Sequence, residues 1–145
     1  MIYVVAYHSM TRNNERIVNK LKLRQKTNGL CHEFSLLSNI SDIDKVHGRD
    51  NVKIHLLTFT TGIGEVHEDS DIFVRENIDR IVSISSSGNQ NWGRLYGIAA
   101  DKLSEKYYNS NIPIFKFELS GDEVQLTNYE NLLTYIEKGS NNDSR

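Results

Sequence analysis

Apolar positions along the chain fall into five short runs, separated by polar stretches and by segments with helical spacing. Ile2-Tyr3-Val4-Val5-Ala6-Tyr7 scarcely alternates, as expected of a strand buried on both faces. Ile17, Val18 and Leu21 then share one face of a helix. A weaker second strand runs around Cys31 to Leu37, and the polar residues 38–51, with Gly48 among them, predict an irregular excursion. Val52 to Phe59 is the third strand, ending in the glycine-rich turn Thr60-Thr61-Gly62-Ile63-Gly64. A short helix from about His67 to Asn77 turns Ile72 and Phe73 inward, and Arg80 to Ser85 forms the fourth strand. After the polar stretch Ser85 to Gly93, a helix continues to about Tyr108, and Pro113 introduces the fifth strand, Ile114 to Leu119. Thr127-Asn128-Tyr129-Glu130 has capping-box spacing, opening a helix that carries Leu132, Leu133 and Ile136 and stops at Gly139.

Five strands alternating with four helices predict an α/β three-layer sandwich around a five-stranded parallel sheet. With right-handed crossovers the natural strand order is 2-1-3-4-5. Residues 1–138 then form one domain, and the polar residues 139–145 are expected to be a disordered tail. In that order, the polar loops after strands one, three and four lie at the switch point, where open α/β sheets take their ligands.

Composition narrows the setting. A chain of 145 residues, 38% hydrophobic and 25% charged, is an ordinary globular domain. Its net charge of −2, with no basic block, argues against a nucleic-acid partner. The single cysteine, Cys31, allows no internal disulfide and fits a reducing compartment. No run approaches the roughly 18 apolar residues of a membrane span, and Met1 to Ala6 lacks a basic leader. A cytoplasmic location, without a membrane partner, is the expectation.

Each of the three loops offers a different chemistry. In Ser9-Met10-Thr11-Arg12-Asn13-Asn14, hydroxyls, amides and the free N–H groups of a helix start make an anion pocket; Thr11 or Asn13 as a plain helix cap is the alternative. In Thr60 to Gly64, two glycines flank one apolar residue, so the Gly62–Ile63 peptide can adopt either orientation at little steric cost. Such a peptide could answer a heterocycle nitrogen that gains a proton on reduction; an ordinary turn is the alternative. In Ser87-Gly88-Asn89-Gln90-Asn91-Trp92-Gly93, the sole tryptophan offers a flat apolar surface, with Asn89 and Asn91 beside it to bond a ring edge; a plain core or surface aromatic is the alternative.

Other motifs are missing. Cys31 has no CX5R spacing, the third strand does not end in aspartate, and neither GK[ST] nor GxGxxG occurs. His8, His32, His47, His55 and His67 have no metal-ligand spacing, so no metal site is expected.

Ser9-Met10-Thr11 with Asn13 and Arg16, Thr60-Thr61-Gly62-Ile63-Gly64-Glu65-Val66, Ser87 to Gly93, and Lys116-Phe117-Glu118-Leu119-Ser120-Gly121 together resemble the NrdI family of flavodoxin-like proteins. The resemblance covers residues 1 to about 138 in order. It implies a flavodoxin-like fold, bound FMN, and as partner the radical-bearing small subunit of a class Ib ribonucleotide reductase, with an electron donor still to be identified. In that family the reduced flavin meets dioxygen, and the superoxide-type oxidant helps assemble the partner's dimanganese–tyrosyl radical cofactor. Carried over by position, Ser9, Met10, Thr11, Arg12, Asn13 and Asn14 would hold the phosphate. Thr60, Thr61, Gly62, Ile63 and Gly64 would face the isoalloxazine, and Ser87, Gly88, Asn89, Trp92 and Gly93 would close the other side. Arg12 stands where many members have glycine, Ile63 replaces the usual aromatic residue, His67 a proline and Gln90 an arginine. No side chain is expected to act as a catalytic acid, base or nucleophile, since the cofactor carries the reaction. Two other functions fit the same fold: a general flavodoxin electron carrier, and a cofactor-free docking module.

Overall fold

The computed structural model describes residues 1–8, 10, 12–30 and 32–143, with side chains to residue 139. The strands are β1 (Ile2–Tyr7), β2 (Glu33–Leu36), β3 (Val52–Thr61), β4 (Glu65–Val66), β5 (Ile81–Gly88) and β6 (Ile114–Glu118). The α-helices are α1 (Asn13–Asn28), α2 (Ile40–His47), α3 (Glu68–Glu76), α4 (Ile98–Tyr108) and α5 (Glu123–Asp143). Five parallel strands lie in the order β2-β1-β3-β5-β6, and the short β4 pairs antiparallel with the end of β3. Counting only the parallel strands, this is the predicted order 2-1-3-4-5.

Alternation along the central strands builds the core on both faces. Val4, Ala6, Ile54, Leu56 and Ile84 face α3 and α4, meeting Phe73, Val74, Ala100 and Leu103. Val5 and Leu57 point the other way, against Ile17, Val18 and Leu21 of α1 and Leu126, Tyr129 and Leu133 of α5. Burial from both sides is why β1 reads as an unbroken apolar run.

Three local readings need correction. Residues 38–51 are not irregular: α2 occupies their centre, with Ile40 and Ile43 packed against the core. A helix of this length is held by tertiary contact rather than by propensity. The contact is the buried Arg80, whose guanidinium donates to both oxygens of Asp44, at 2.6 and 2.8 Å. The fourth parallel strand runs three residues beyond Ser85, to Gly88. Ser86 and Ser87 pair with Thr58 and Phe59 on one side and with Lys116 and Phe117 on the other. Serines there read as a loop from sequence, but neighbouring strands take up their backbone groups on both sides, and Ser86 Oγ lies 3.2 Å from Thr60 Oγ1.

The last helix starts earlier than the Thr127 box. Asp122 Oδ1 accepts the Gln125 N–H at 2.8 Å, while Thr127 and Glu130 bind Arg24 of α1, each at 2.7 Å. The helix also passes through Gly139, where a stop was expected, and reaches Asp143.

Candidate functional site

At the carboxyl ends of β1, β3, β5 and β6 the chain leaves a cleft of about 420 Å³. Each predicted loop contributes to its lining: Met10 and Asn13 from the first, Thr60, Thr61 and Gly62 from the second, Ser87, Gly88, Asn89 and Trp92 from the third. No lining residue among those described carries a formal charge. Ser9 and Thr11 lie outside the described residues.

The first loop turns on Arg12, which caps α1 in the left-handed region at φ 66°, ψ −6°. That is the conformation a glycine would take without strain. Asn14 does not line the cleft. It is buried, and its Nδ2 donates to the carbonyls of His8 at 2.7 Å and Thr58 at 2.8 Å, tying the loop to β3. Its side-chain amide nitrogen thus supports the loop, while its backbone N–H lies in the first turn of α1.

The second loop is the hairpin joining β3 to β4. Gly62 and Gly64 have φ of 54° and 70°, and Ile63 between them is 77% exposed at the tip, off the lining. Gly64 also stays off the lining; a Cβ there would sit 3.0 Å from Leu95 Cδ2, so its place is against the start of the α4 segment. Lys102 Nζ donates to the Gly64 carbonyl and fixes this hairpin to α4.

The third loop leaves β5 at Gly88, where a Cβ would come within 2.9 Å of the Gly97 backbone nitrogen. The Gly88 carbonyl accepts the Leu119 N–H at 2.7 Å. Asn89 Oδ1 accepts the Asn91 N–H at 2.9 Å, and the Gln90 N–H goes to Glu118 Oε2. Neither Asn91 nor Gly93 is on the lining, and Gly93 turns the chain at φ 57°. The Trp92 indole remains 51% exposed on the cleft wall.

Phe59, Leu95 and Leu119 also line the cleft and were not predicted. Phe59 and Leu119 each end an apolar run at the carboxyl edge of the sheet; that edge position was the available signal. Behind Phe59, the His8 ring lies 5.0 Å away and meets His67 edge-on at 4.6 Å. Burial pushes the His8 imidazole below its ordinary range, helped by His67 and opposed by Asp69.

Histidines distant in sequence do converge in two places: His8 and His67 with Asp69, and His32 and His55 with Glu137. Sequence spacing gave no sign of either group.

A five-stranded parallel α/β sandwich with its cleft at the switch point is a flavodoxin-like protein. In solved structures the fold recurs in oxidised Flavodoxin 2 from Bacillus cereus, with a TM-score of 0.68 at 18% identity, over 96% of this chain and 99% of that one. A short-chain flavodoxin associated with a bacterial microcompartment gives 0.63 at 19%, over 94% and 95%. The profile of the NrdI flavodoxin-like family matches residues 5–131. The SPbeta prophage-derived protein NrdI of Bacillus subtilis (strain 168) is 34% identical over 122 residues, 84% of each chain. Protein NrdI of Bacillus licheniformis is 33% identical over 122 residues, covering 83% of this chain and 79% of that one. The chain belongs to the NrdI flavodoxin-like family. Among the described residues no helix is long and apolar enough to cross a membrane.

Proposed function

We propose that the cleft holds FMN and that the chain is a redox accessory protein of NrdI type. In this reading it supplies a superoxide-type oxidant, or electrons, for assembly of the dimanganese–tyrosyl radical cofactor in the small subunit of a class Ib ribonucleotide reductase. The observation that carries the reading is the convergence of three loops and the β6 end on one uncharged cleft with an exposed indole.

The residues present fit the cofactor. The start of α1 offers unpaired N–H groups, with Asn13 on the lining and the exposed Arg12 guanidinium nearby, a donor set suited to a phosphate. Thr60, Thr61 and Asn89 bring neutral hydrogen-bonding groups to a planar ring, and Trp92, Leu95 and Leu119 bring apolar surface. Gly88 lets β5 and the start of α4 approach so closely that a side chain there would crowd the cleft's base.

Bound FMN supplies the electron chemistry with dioxygen. The chain's own work is to hold and cover it. With Gly62 on the lining at φ 54°, the Gly62–Ile63 peptide would be able to present either its carbonyl or its N–H to the ring. The described lining residues carry no formal charge, so neutral dipoles would surround the ring. Met10, Ile63, Trp92 and Leu119, from 46% to 77% exposed, are apolar side chains on the loops around the cleft, a surface suited to docking a protein partner.

The test is reconstitution: flavin-loaded, reduced protein is mixed with manganese-loaded small subunit and dioxygen, and the tyrosyl radical is measured by electron paramagnetic resonance. The reading expects radical in proportion to added protein, and less with Trp92→Ala when FMN is limiting. Equal radical with free reduced FMN would remove the assembly role. Turnover of a generic acceptor without radical would favour the electron carrier.

A further inference from the structure

Away from the cleft, His32, His55 and Glu137 bring three ligand-type atoms together from three elements. His55 lies on β3, His32 just before β2, and Glu137 on α5. His32 Nε2 is 2.7 Å and His55 Nε2 3.1 Å from the same oxygen, Glu137 Oε2. His55 is five residues before Thr60, so the group sits roughly 16 Å down the strand from the cleft.

We propose that His32, His55 and Glu137 form a binding site for a divalent metal ion of the zinc type. The donor set of two imidazoles and one carboxylate, with a fourth position left for water, is one that Zn²⁺ takes. Bonds of about 2.0–2.1 Å to a tetrahedral ion would put ligand atoms roughly 3.3 Å apart. Both imidazole-to-carboxylate distances, 2.7 and 3.1 Å, are already near that spacing, and all three ligand atoms lie within 4.8 Å of one another, so modest side-chain movement admits the ion. Both rings are held in place. His55 is fully buried and stacks on Tyr3 at 5.7 Å, and the His32 side chain is only 2% exposed. Glu137, 22% exposed, gives the site its way to solvent.

The supporting groups are also present. A histidine that ligates through Nε2 carries its proton on Nδ1 and donates it to a neighbour. His55 Nδ1 is 2.7 Å from Ser83 Oγ, which can accept it. His32 Nδ1 is 3.2 Å from the Gln25 amide nitrogen, while Gln25 Oε1 accepts the His32 backbone N–H at 2.9 Å. Without metal, Gln25 therefore donates to Nδ1, and His32 donates Nε2–H to Glu137. Binding moves that proton to Nδ1, and Gln25 must turn to accept it. A carboxylate at position 25 would serve both donors at once, so Gln25→Glu should strengthen the site.

The experiment uses the full-length chain, stripped with chelator, titrated with Zn²⁺ by calorimetry and with Co²⁺ by visible absorption. The expected result is one ion per chain with the absorption of a four-coordinate Co²⁺ site. Glu137→Gln should weaken Zn²⁺ binding at least tenfold and Gln25→Glu tighten it, while His8→Gln leaves it unchanged. Circular dichroism of each metal-free variant checks that it is folded. No saturable binding by the native chain, or equal binding by Glu137→Gln, overturns the proposal and leaves the group as a proton-filled clamp on α5. Binding lost in His8→Gln instead would place the ion at the His8–His67–Asp69 group and equally overturn it.

Discussion

Replacing Arg12 by glycine should make the protein more stable while weakening its hold on FMN. Arg12 caps α1 at φ 66°, and no hydrogen bond from its exposed side chain to another described residue holds it there. Left-handed backbone costs an L-residue with a side chain roughly 1–2 kcal/mol. Glycine removes that cost but adds freedom to the unfolded chain, giving back roughly 0.5–1 kcal/mol. Taken at the middle of both ranges the net gain is about 0.75 kcal/mol, read as a rise in the urea midpoint with an unchanged slope and a few degrees in Tm. Against this, a guanidinium on the phosphate forms hydrogen bonds worth roughly 1.5–3 kcal/mol, so FMN affinity should fall about tenfold or more. Quenching of flavin fluorescence measures the second effect on the same samples. Lower stability in Arg12→Gly would show that the turn does not strain the arginine; unchanged affinity would show that the guanidinium does not reach the phosphate.

The remaining expectations touch the walls and supports of the cleft. Trp92→Ala should lower FMN affinity by about 1 kcal/mol or more, with a smaller change in folding stability because the indole is half exposed; equal affinity would exclude stacking. Asn14→Ala should destabilise by roughly 2–4 kcal/mol in urea unfolding, because the carbonyls of His8 and Thr58 lose their donor. His8 is held below its ordinary pKa by burial, so the unfolded chain binds the proton more readily than the folded one. Stability from this residue is thus complete above the unfolded value of about 6.5 and declines as the pH falls below it. Urea titrations at pH 7 and 5.5 should show a smaller loss in His8→Gln than in the native chain.

What could be read from the sequence was what local pattern controls. The non-alternating run at Ile2 to Tyr7 and the order of strands and helices led to the right sheet, because two-sided burial leaves that imprint. The three loops were found because turn chemistry and the switch-point rule are local. Where tertiary contact decides, the pattern was silent. α2 depends on Arg80 and Asp44, 36 residues apart, and Ser86 and Ser87 are strand only because β3 and β6 flank them. Nor did the pattern show that the side-chain amide of Asn14 donates to Thr58, 44 residues away. Leu119 joins the cleft through its bond to Gly88, and the histidine groups form only when the sheet assembles. Arg12, by contrast, was marked by standing where many family members have glycine, and it does sit at a positive φ.

FMN titration of the purified full-length chain tests the central claim most directly. The account predicts saturable uptake of one FMN per chain, with a perturbed flavin absorption spectrum and quenched fluorescence, and weaker uptake by Trp92→Ala. A folded, colourless protein that takes up no FMN would contradict it.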